Sequence, residues 1–361
     1  MTKPVRVAVI GCGMISDSHC NGVKSHPDAE LVAVCDVNHT RATQKANAYG
    51  VKKVFHDIKD VLTDSSIDAV TIALPNELHV PVAVAALQAG KHVCTDKPFA
   101  PSFEEASKAV EAAKKAGKIL MVGMNMRFAQ SSQIIKAVIE NGDLGDIYHA
   151  RSTYLRRFGV PKCKTWFIDK PQAGGGCLYD IGVHVLDVTL YLLNNFDVET
   201  VSGTVRTEIA NQKINEYYNG GWGMSDPDEK LMFTVDDFAS AFIRLKGGQT
   251  MELSVSWALT MSTGGTQNVQ LYGTKAGAEI FPNARVVYPM TEKTQDHYQF
   301  EVVEPQGIPI RYPKQERFHH WIDVILGNAE PCVTMDQALM VQKTLDAIYE
   351  SAKEGKEVRL S

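Results

Sequence analysis

The chain has 361 residues, 44% of them hydrophobic and 22% charged, with a formal net charge of −5. A chain of this size divides most readily into two domains and can bury a substantial core. The mild acidity gives no electrostatic reason to expect nucleic acid or an anionic membrane surface as a partner, and no membrane-spanning segment is expected.

The opening residues, MTKPVRVAVIGCG, run directly into a strand pattern without the charged, apolar and small-residue order of a secretion signal, so the expected location is the cytoplasm. Strand patterns recur at Val5–Ile10, 31–35, 69–73, His92–Thr95 and 119–122, with helical patterns between them at 41–49, 81–89 and 103–116. Continuous apolar strands alternating with helices predict an α/β fold, with a doubly wound parallel sheet of Rossmann type over residues 1–125. The character changes from residue 126. A helix is predicted at 131–140, followed by longer strands at 148–155, 199–207, 238–245, 250–257 and 269–272, and the tail at 315–353 returns to helical spacing. Strands without intervening helices predict an α+β domain with an antiparallel or mixed sheet over residues 126–361. Residues 211–231 are polar, Gly-rich and aromatic, with Tyr217, Tyr218 and Trp222, and read as a long functional loop. The seven cysteines, at 12, 20, 35, 94, 163, 177 and 332, form no C-x-x-C pair and read as reduced thiols.

The first strand is followed by Gly11-Cys12-Gly13-Met14-Ile15-Ser16, a G-x-G-x-x-S version of the dinucleotide fingerprint. Gly11 suits the tight turn, Gly13 lets backbone approach a pyrophosphate, and Ser16 is small enough for close helix–strand packing. The phosphates would sit on free N–H groups at the helix N-terminus. Asp36 follows the second strand, where a carboxylate accepts both ribose hydroxyls of NAD and repels the 2′-phosphate of NADP. The same aspartate also suits a plain turn, and Arg41 nearby could stack on adenine or serve a phosphate. NAD is therefore the expected cofactor, with NADP less favoured.

Lys97 follows the strand His92–Thr95 at its carboxyl end, where ligands bind in open α/β sheets. Farther on, LYDIGVHVLDVTLYLL (178–193) is a mostly apolar helix carrying Asp180, His184 and Asp187 at i, i+4 and i+7, on one face. Polar groups on such a helix must pair or line a cleft. A histidine there is a natural base for removing a hydroxyl proton as hydride leaves carbon, and the aspartate can orient the ring or bind a sugar hydroxyl. Asp187 could equally orient the helix or cap a neighbour. Arg127, Tyr154, Arg156, Arg157 and Trp166 offer donors and an aromatic face for a sugar ring, although a solvated basic loop explains the run at 156–170 as well. No metal-ligand spacing is present in the sequence, so no metal is expected.

Together GCGMIS, ALPNELH (73–79), AGKHVCTDKP (89–98), MNMRF (124–128), GGGCLYDIGVHVLD (174–187) and VDDFASAFIRLKGG (235–248) resemble the Gfo/Idh/MocA family of oxidoreductases over nearly the whole chain. The resemblance implies an NAD(P)-binding Rossmann domain and a substrate-binding and oligomerisation domain with a large open, mostly antiparallel sheet. It also implies that the C-terminal helices can pack back on the first domain, and that the subunits form a homo-oligomer, a dimer or tetramer, through that sheet. The substrates implied are sugars, cyclitols or glycosides. It extends the cofactor site to Met14, Ile15, Leu74, Pro75, Asn76, His79, Asp96, Lys97 and Asn125, and assigns catalysis to Lys97, Asp180 and His184. Asp96-Lys97-Pro98 stands where the family usually has Glu-Lys-Pro, with a Lys–Pro bond that is often cis. The expected activity is NAD-dependent hydride transfer to or from a ring carbon. A glycosidase using transient oxidation and a catalytically silent NAD-binding regulator are the alternatives.

Overall fold

A computed structural model describes residues 3–161, 165–209, 233–289, 300–312 and 316–360. The predicted loop at 211–231 and Cys163 lie outside the described residues. The chain forms two compact units, the first made of Met1–Met124, Pro171–Gly174 and Glu316–Gln342, the second of Asn125–Lys170, Gly175–Gln315 and Lys343–Ser361.

The first unit is built on six parallel strands, β1 (Val5–Ile10), β2 (Ala29–Cys35), β3 (Lys53–Phe55), β4 (Ala69–Ile72), β5 (His92–Thr95) and β6 (Leu120–Val122). Their spatial order is β3-β2-β1-β4-β5-β6. The central strands β1 and β4 are apolar almost throughout and buried, as a sheet covered on both faces requires. The order reverses direction between β1 and β4, which opens a crevice at the carboxyl ends of the strands. Local chemistry sets the helix boundaries. Asn38 caps the helix His39–Tyr49 by accepting from the Arg41 N–H, Ser102 does the same for Phe103–Ala116, and left-handed Gly50 and Gly117 end those helices. The helix expected at 81–89 starts earlier, at Asn76, and carries Pro81 inside it. The three-residue β3 is too short to leave a periodic signal. The helix Arg317–Ile325 packs on the helix Ser16–Ser25, placing the Phe318 ring 4.5 Å from the His19 ring.

The second unit holds a nine-stranded sheet built from β7 (Ile147–Arg156), β8 (Val198–Arg206), β9 (Phe238–Leu245), β10 (Thr250–Ser256), β11 (Gly265–Gly273), β12 (Gly277–Glu279), β13 (Arg285–Pro289), β14 (Phe300–Val303) and β15 (Val358–Arg359). The order is β14-β13-β12-β11-β7-β10-β9-β8-β15, antiparallel except where β7 runs parallel to β10. Alternation places Ala239, Ala241, Ile243, Met251, Leu253 and Val255 in the core, while Arg151, Phe242, Glu252 and Ser254 occupy the more open positions. The helix Val183–Leu193 packs on β7 and β11, and Thr189 and Ser152 share a hydrogen bond at 2.7 Å. The stretch Lys170–Leu193 is, contrary to expectation, long and apolar enough to span a bilayer, with a mean hydropathy of 1.4, but 94% of that window is buried in protein. It is a core helix.

Candidate active site

The glycine turn is dictated by crowding. Gly11 has φ +97°, and a Cβ there would come within 2.2 Å of the Ala73 carbonyl oxygen at the end of β4. Gly13 is the opposite case, with nothing within 4 Å of its would-be Cβ, the open approach that a bound pyrophosphate needs. Met14 and Ile15 are exposed beside it, and no side chain caps the helix that starts at Ser16; the Ser16 and Ser18 N–H groups donate to the Gly13 and Ile15 carbonyls, and the positive end of the helix still suits an anion. Ser16 is fully buried, and its hydroxyl donates back to the Gly13 carbonyl at 2.5 Å.

Asp36 lies just past the end of β2. Its two carboxylate oxygens accept the N–H groups of Cys12 and Asn38, both at 2.8 Å. The carboxylate thus joins the glycine turn to the tip of β2, and each oxygen keeps lone pairs for a ribose hydroxyl. Arg41 sits exposed in the first turn of the next helix. Beyond β4, Leu74 and Pro75 line the turn into the helix Asn76–Gln88, and the buried Asn76 amide donates to the Ala173 carbonyl at 2.7 Å. His79 is buried, with Nδ1 2.8 Å from the Pro98 carbonyl and Nε2 2.9 Å from the Leu74 carbonyl. It clasps the β4 turn to the turn after β5. Both contacts are to acceptors, and burial pushes the imidazole pKa down, so the neutral ring donates to one carbonyl only.

The Asp96-Lys97-Pro98 turn follows β5, and its Lys97–Pro98 bond is cis. Lys97 is half-buried. Asp96 is only 8% exposed, and it faces inward. Its Oδ1 accepts the Lys97 N–H at 2.9 Å and lies 4.0 Å from Arg317 Nη2, while Oδ2 lies 3.5 Å from His19 Nε2. Burial alone would raise the Asp96 carboxyl pKa, but His19, Arg317 and Lys97 outweigh it and hold the group well below the usual carboxylate range. His19 is pushed down by burial, so the cations that keep Asp96 ionised are Arg317 and Lys97. His19 and Arg317 left no readable signal in the sequence, because they meet Asp96 from distant parts of the chain.

In the second unit, a π-turn over Leu178–Gly182 leads into the helix Val183–Leu193. Along 178–193, Asp180 and His184 are the only residues not buried. Asp187, the third member of the predicted stripe, is 1% exposed and forms a two-bond pair with Arg127 at 2.9 and 2.6 Å. Burial pushes the Asp187 carboxyl up, and the guanidinium pulls it back. Arg127 is fully buried, between the rings of Tyr191 and Phe196 at 5.1 and 5.2 Å. The structure thus places Arg127 inside the protein, paired with Asp187.

The other expected lining residues make local contacts. Asn125 is exposed at the start of the turn Asn125–Phe128. Arg156 donates to the Tyr154 hydroxyl at 2.9 Å and lies over that ring, Arg157 lies over Phe158, and Trp166 stacks on Phe167 at 3.8 Å.

Two residues with clear positions in this unit escaped the sequence reading. Asp236 is a buried carboxylate at the entrance of the π-turn. It accepts the N–H groups of Gly176 and Leu178 at 2.7 and 2.9 Å and the Tyr349 hydroxyl at 2.6 Å, and the Cys177 thiol lies 3.2 Å away. Gly176 must be glycine, because a Cβ would come within 1.9 Å of the Asp236 carbonyl oxygen. Burial pushes the Cys177 thiol well up, and Asp236 adds to the effect, so the thiol is a neutral donor rather than a nucleophile. Trp257 is fully buried and its indole N–H donates to Asp180 Oδ2 at 2.9 Å.

The six-stranded order, the crowded glycine turn and Asp36 at the tip of β2 define an NAD-binding oxidoreductase. Residues 5–124 match the model of an oxidoreductase family with an NAD-binding Rossmann fold, and residues 132–279 match the GFO/IDH/MocA C-terminal domain. The chain belongs to the Gfo/Idh/MocA oxidoreductase family. It is 32% identical over 360 residues to the D-glucoside 3-dehydrogenase of Escherichia coli (strain K12), covering 99% of this chain and 98% of that one. It is 27% identical over 252 residues to the myo-inositol 2-dehydrogenase of Thermotoga maritima, covering 66% of this chain and 72% of the relative. Its fold is shared with a levoglucosan dehydrogenase solved with NADH and levoglucosan, with a TM-score of 0.84 at 24% identity over 99% of each chain.

Proposed function

We propose that the protein oxidises a secondary ring hydroxyl of a glucoside or a related sugar or cyclitol, with NAD rather than NADP as the hydride acceptor. The observation that carries this reading is the pair Asp180 and His184, the two residues of 178–193 that are not buried. One helical turn apart, they give a hydroxylated ring a proton acceptor and a carboxylate within reach of adjacent hydroxyls. His184 takes the hydroxyl proton, and Asp180 accepts a neighbouring hydroxyl or orients the imidazole. Lys97, set at the carboxyl end of β5 and anchored through its N–H to Asp96, supplies a cation that stabilises a developing alkoxide. Bound NAD supplies the hydride acceptor at its nicotinamide ring. Asp36 favours NAD by accepting ribose hydroxyls and repelling a 2′-phosphate. The full-length similarity to a D-glucoside 3-dehydrogenase supports the glucoside as substrate. Tyr154, Arg156, Arg157 and Trp166 are assigned to holding the ring, and Arg127 is left out because it is buried on Asp187.

The test is a screen of glucosides, free hexoses and inositols that follows the absorbance of reduced cofactor. Turnover is expected on a pyranoside or cyclitol. His184→Ala is expected to lower kcat by about a hundredfold or more with NAD affinity unchanged. Activity on simple aliphatic alcohols with none on any sugar, cyclitol or glycoside would refute the substrate class, and near-normal turnover by His184→Ala would refute the mechanism.

A further inference from the structure

We infer that Trp257 is the positioning residue that fixes the Asp180 carboxylate, so that the orientation of this acid is set by the end of a strand and not by its own helix. This rests on the role proposed for Asp180.

An indole N–H can only donate, and when buried it needs an acceptor. Trp257 is fully buried, and its Nε1 lies 2.9 Å from Asp180 Oδ2. The donor cannot easily swing away. The Trp257 backbone N–H donates to the Asp237 carbonyl at 2.9 Å, and its ring meets Phe233 edge-on at 6.1 Å and 88°. The residue before it is fastened too. The Ser256 hydroxyl lies within hydrogen-bond distance of the carbonyls of Asp237 and Ala258, both at 2.8 Å.

Asp180 itself stands in the π-turn Leu178–Gly182, a wider turn than the α-helix that follows it. The entrance of that turn is clamped by Asp236, on the same loop–strand segment as Asp237. Adjacent acids thus hold the two sides: Asp236 sets the backbone under Asp180 through the N–H groups of Gly176 and Leu178, and the Asp237 carbonyl holds Trp257 over its side chain. A half-buried carboxylate can occupy several rotamers, and a fixed donor at one oxygen selects one of them.

Trp257→Phe keeps an aromatic ring and removes the donor. As it also removes volume, the second variant carries benzothienylalanine at position 257, in which sulfur replaces the indole N–H and the ring shape is kept. Both are expected to lower kcat/KM by about tenfold, mainly through kcat, the scale of one lost hydrogen bond to a charged group. In the Asp180→Ala background, which leaves the indole no acceptor at position 180, the same changes are expected to cost little more, because the two residues act as one unit. The bond is read without any substrate in protein labelled with 15N-tryptophan, where Asp180→Ala is expected to shift the Trp257 indole N–H resonance and leave that of Trp321 in place. Unchanged kcat/KM with benzothienylalanine, losses that multiply independently in the double variants, or an unmoved Trp257 resonance would each overturn the inference. Full turnover by Asp180→Asn alone is a different failure: it would refute the role proposed for Asp180, while the resonance would still decide whether Trp257 holds its carboxylate.

Discussion

Removing the Arg127 guanidinium tests whether that residue serves substrate or structure. Arg127→Met keeps an unbranched apolar chain between Tyr191 and Phe196 but leaves Asp187, 1% exposed, with the two guanidinium bonds at 2.6 and 2.9 Å gone. Breaking a buried pair by taking one partner costs about 3–5 kcal/mol, because the remaining charge is uncompensated. At ~1.4 kcal/mol per decade this is a rise of roughly two to three and a half powers of ten in the unfolding constant. The pH dependence has a definite sign. Burial already raises the Asp187 carboxyl, and losing Arg127 removes the opposing pull. The folded-state pKa of the variant then lies above the unfolded value, so the folded state binds the extra proton and the deficit shrinks as pH falls. Arg127→Met combined with Asp187→Leu removes both charges and is expected to recover most of the loss. Urea unfolding of the two variants and the unaltered protein at neutral and mildly acidic pH measures all of this, alongside KM for the substrate. A single variant with unaltered unfolding and a raised KM would refute the structural assignment and return Arg127 to the substrate site.

Two further outcomes follow from the first unit. Asp36→Ala is expected to weaken NAD binding and narrow its advantage over NADP, measured by calorimetry, since ribose acceptors and a repelling charge go together; equal affinities in the unaltered protein would refute the role of Asp36. Asp96, held well below the usual carboxylate range, contributes stability that is present above its unfolded pKa of ~3.9 and lost as pH falls through the lower folded value. The stability gap between the protein and Asp96→Asn is therefore expected to stay constant from neutrality to about pH 4 and to close below it. A gap in unfolding midpoints that widens on acidification would refute the assignment.

The sequence by itself determined what depends on neighbours along the chain. Strand–helix alternation gave a parallel sheet, and strands without intervening helices gave an antiparallel or mixed one after it, because side-chain period is a local property. The glycine turn and Asp36 were legible for the same reason: a turn after a strand and a carboxylate after the next are set by short spacings. So was the polar stripe at 180, 184 and 187. Only the tertiary structure decided which members of that stripe reach the surface. Asp187 has the same periodicity as His184, but it is neutralised by Arg127, which lies 60 residues earlier in the chain. The clamp of Asp236 on Gly176 and Leu178 and the indole bond from Trp257 to Asp180 join residues 58 to 77 positions apart. The pocket around Asp96 brings together His19 and Arg317. A buried carboxylate takes its donors from whatever folds against it, and spacing along the chain carries no record of that choice.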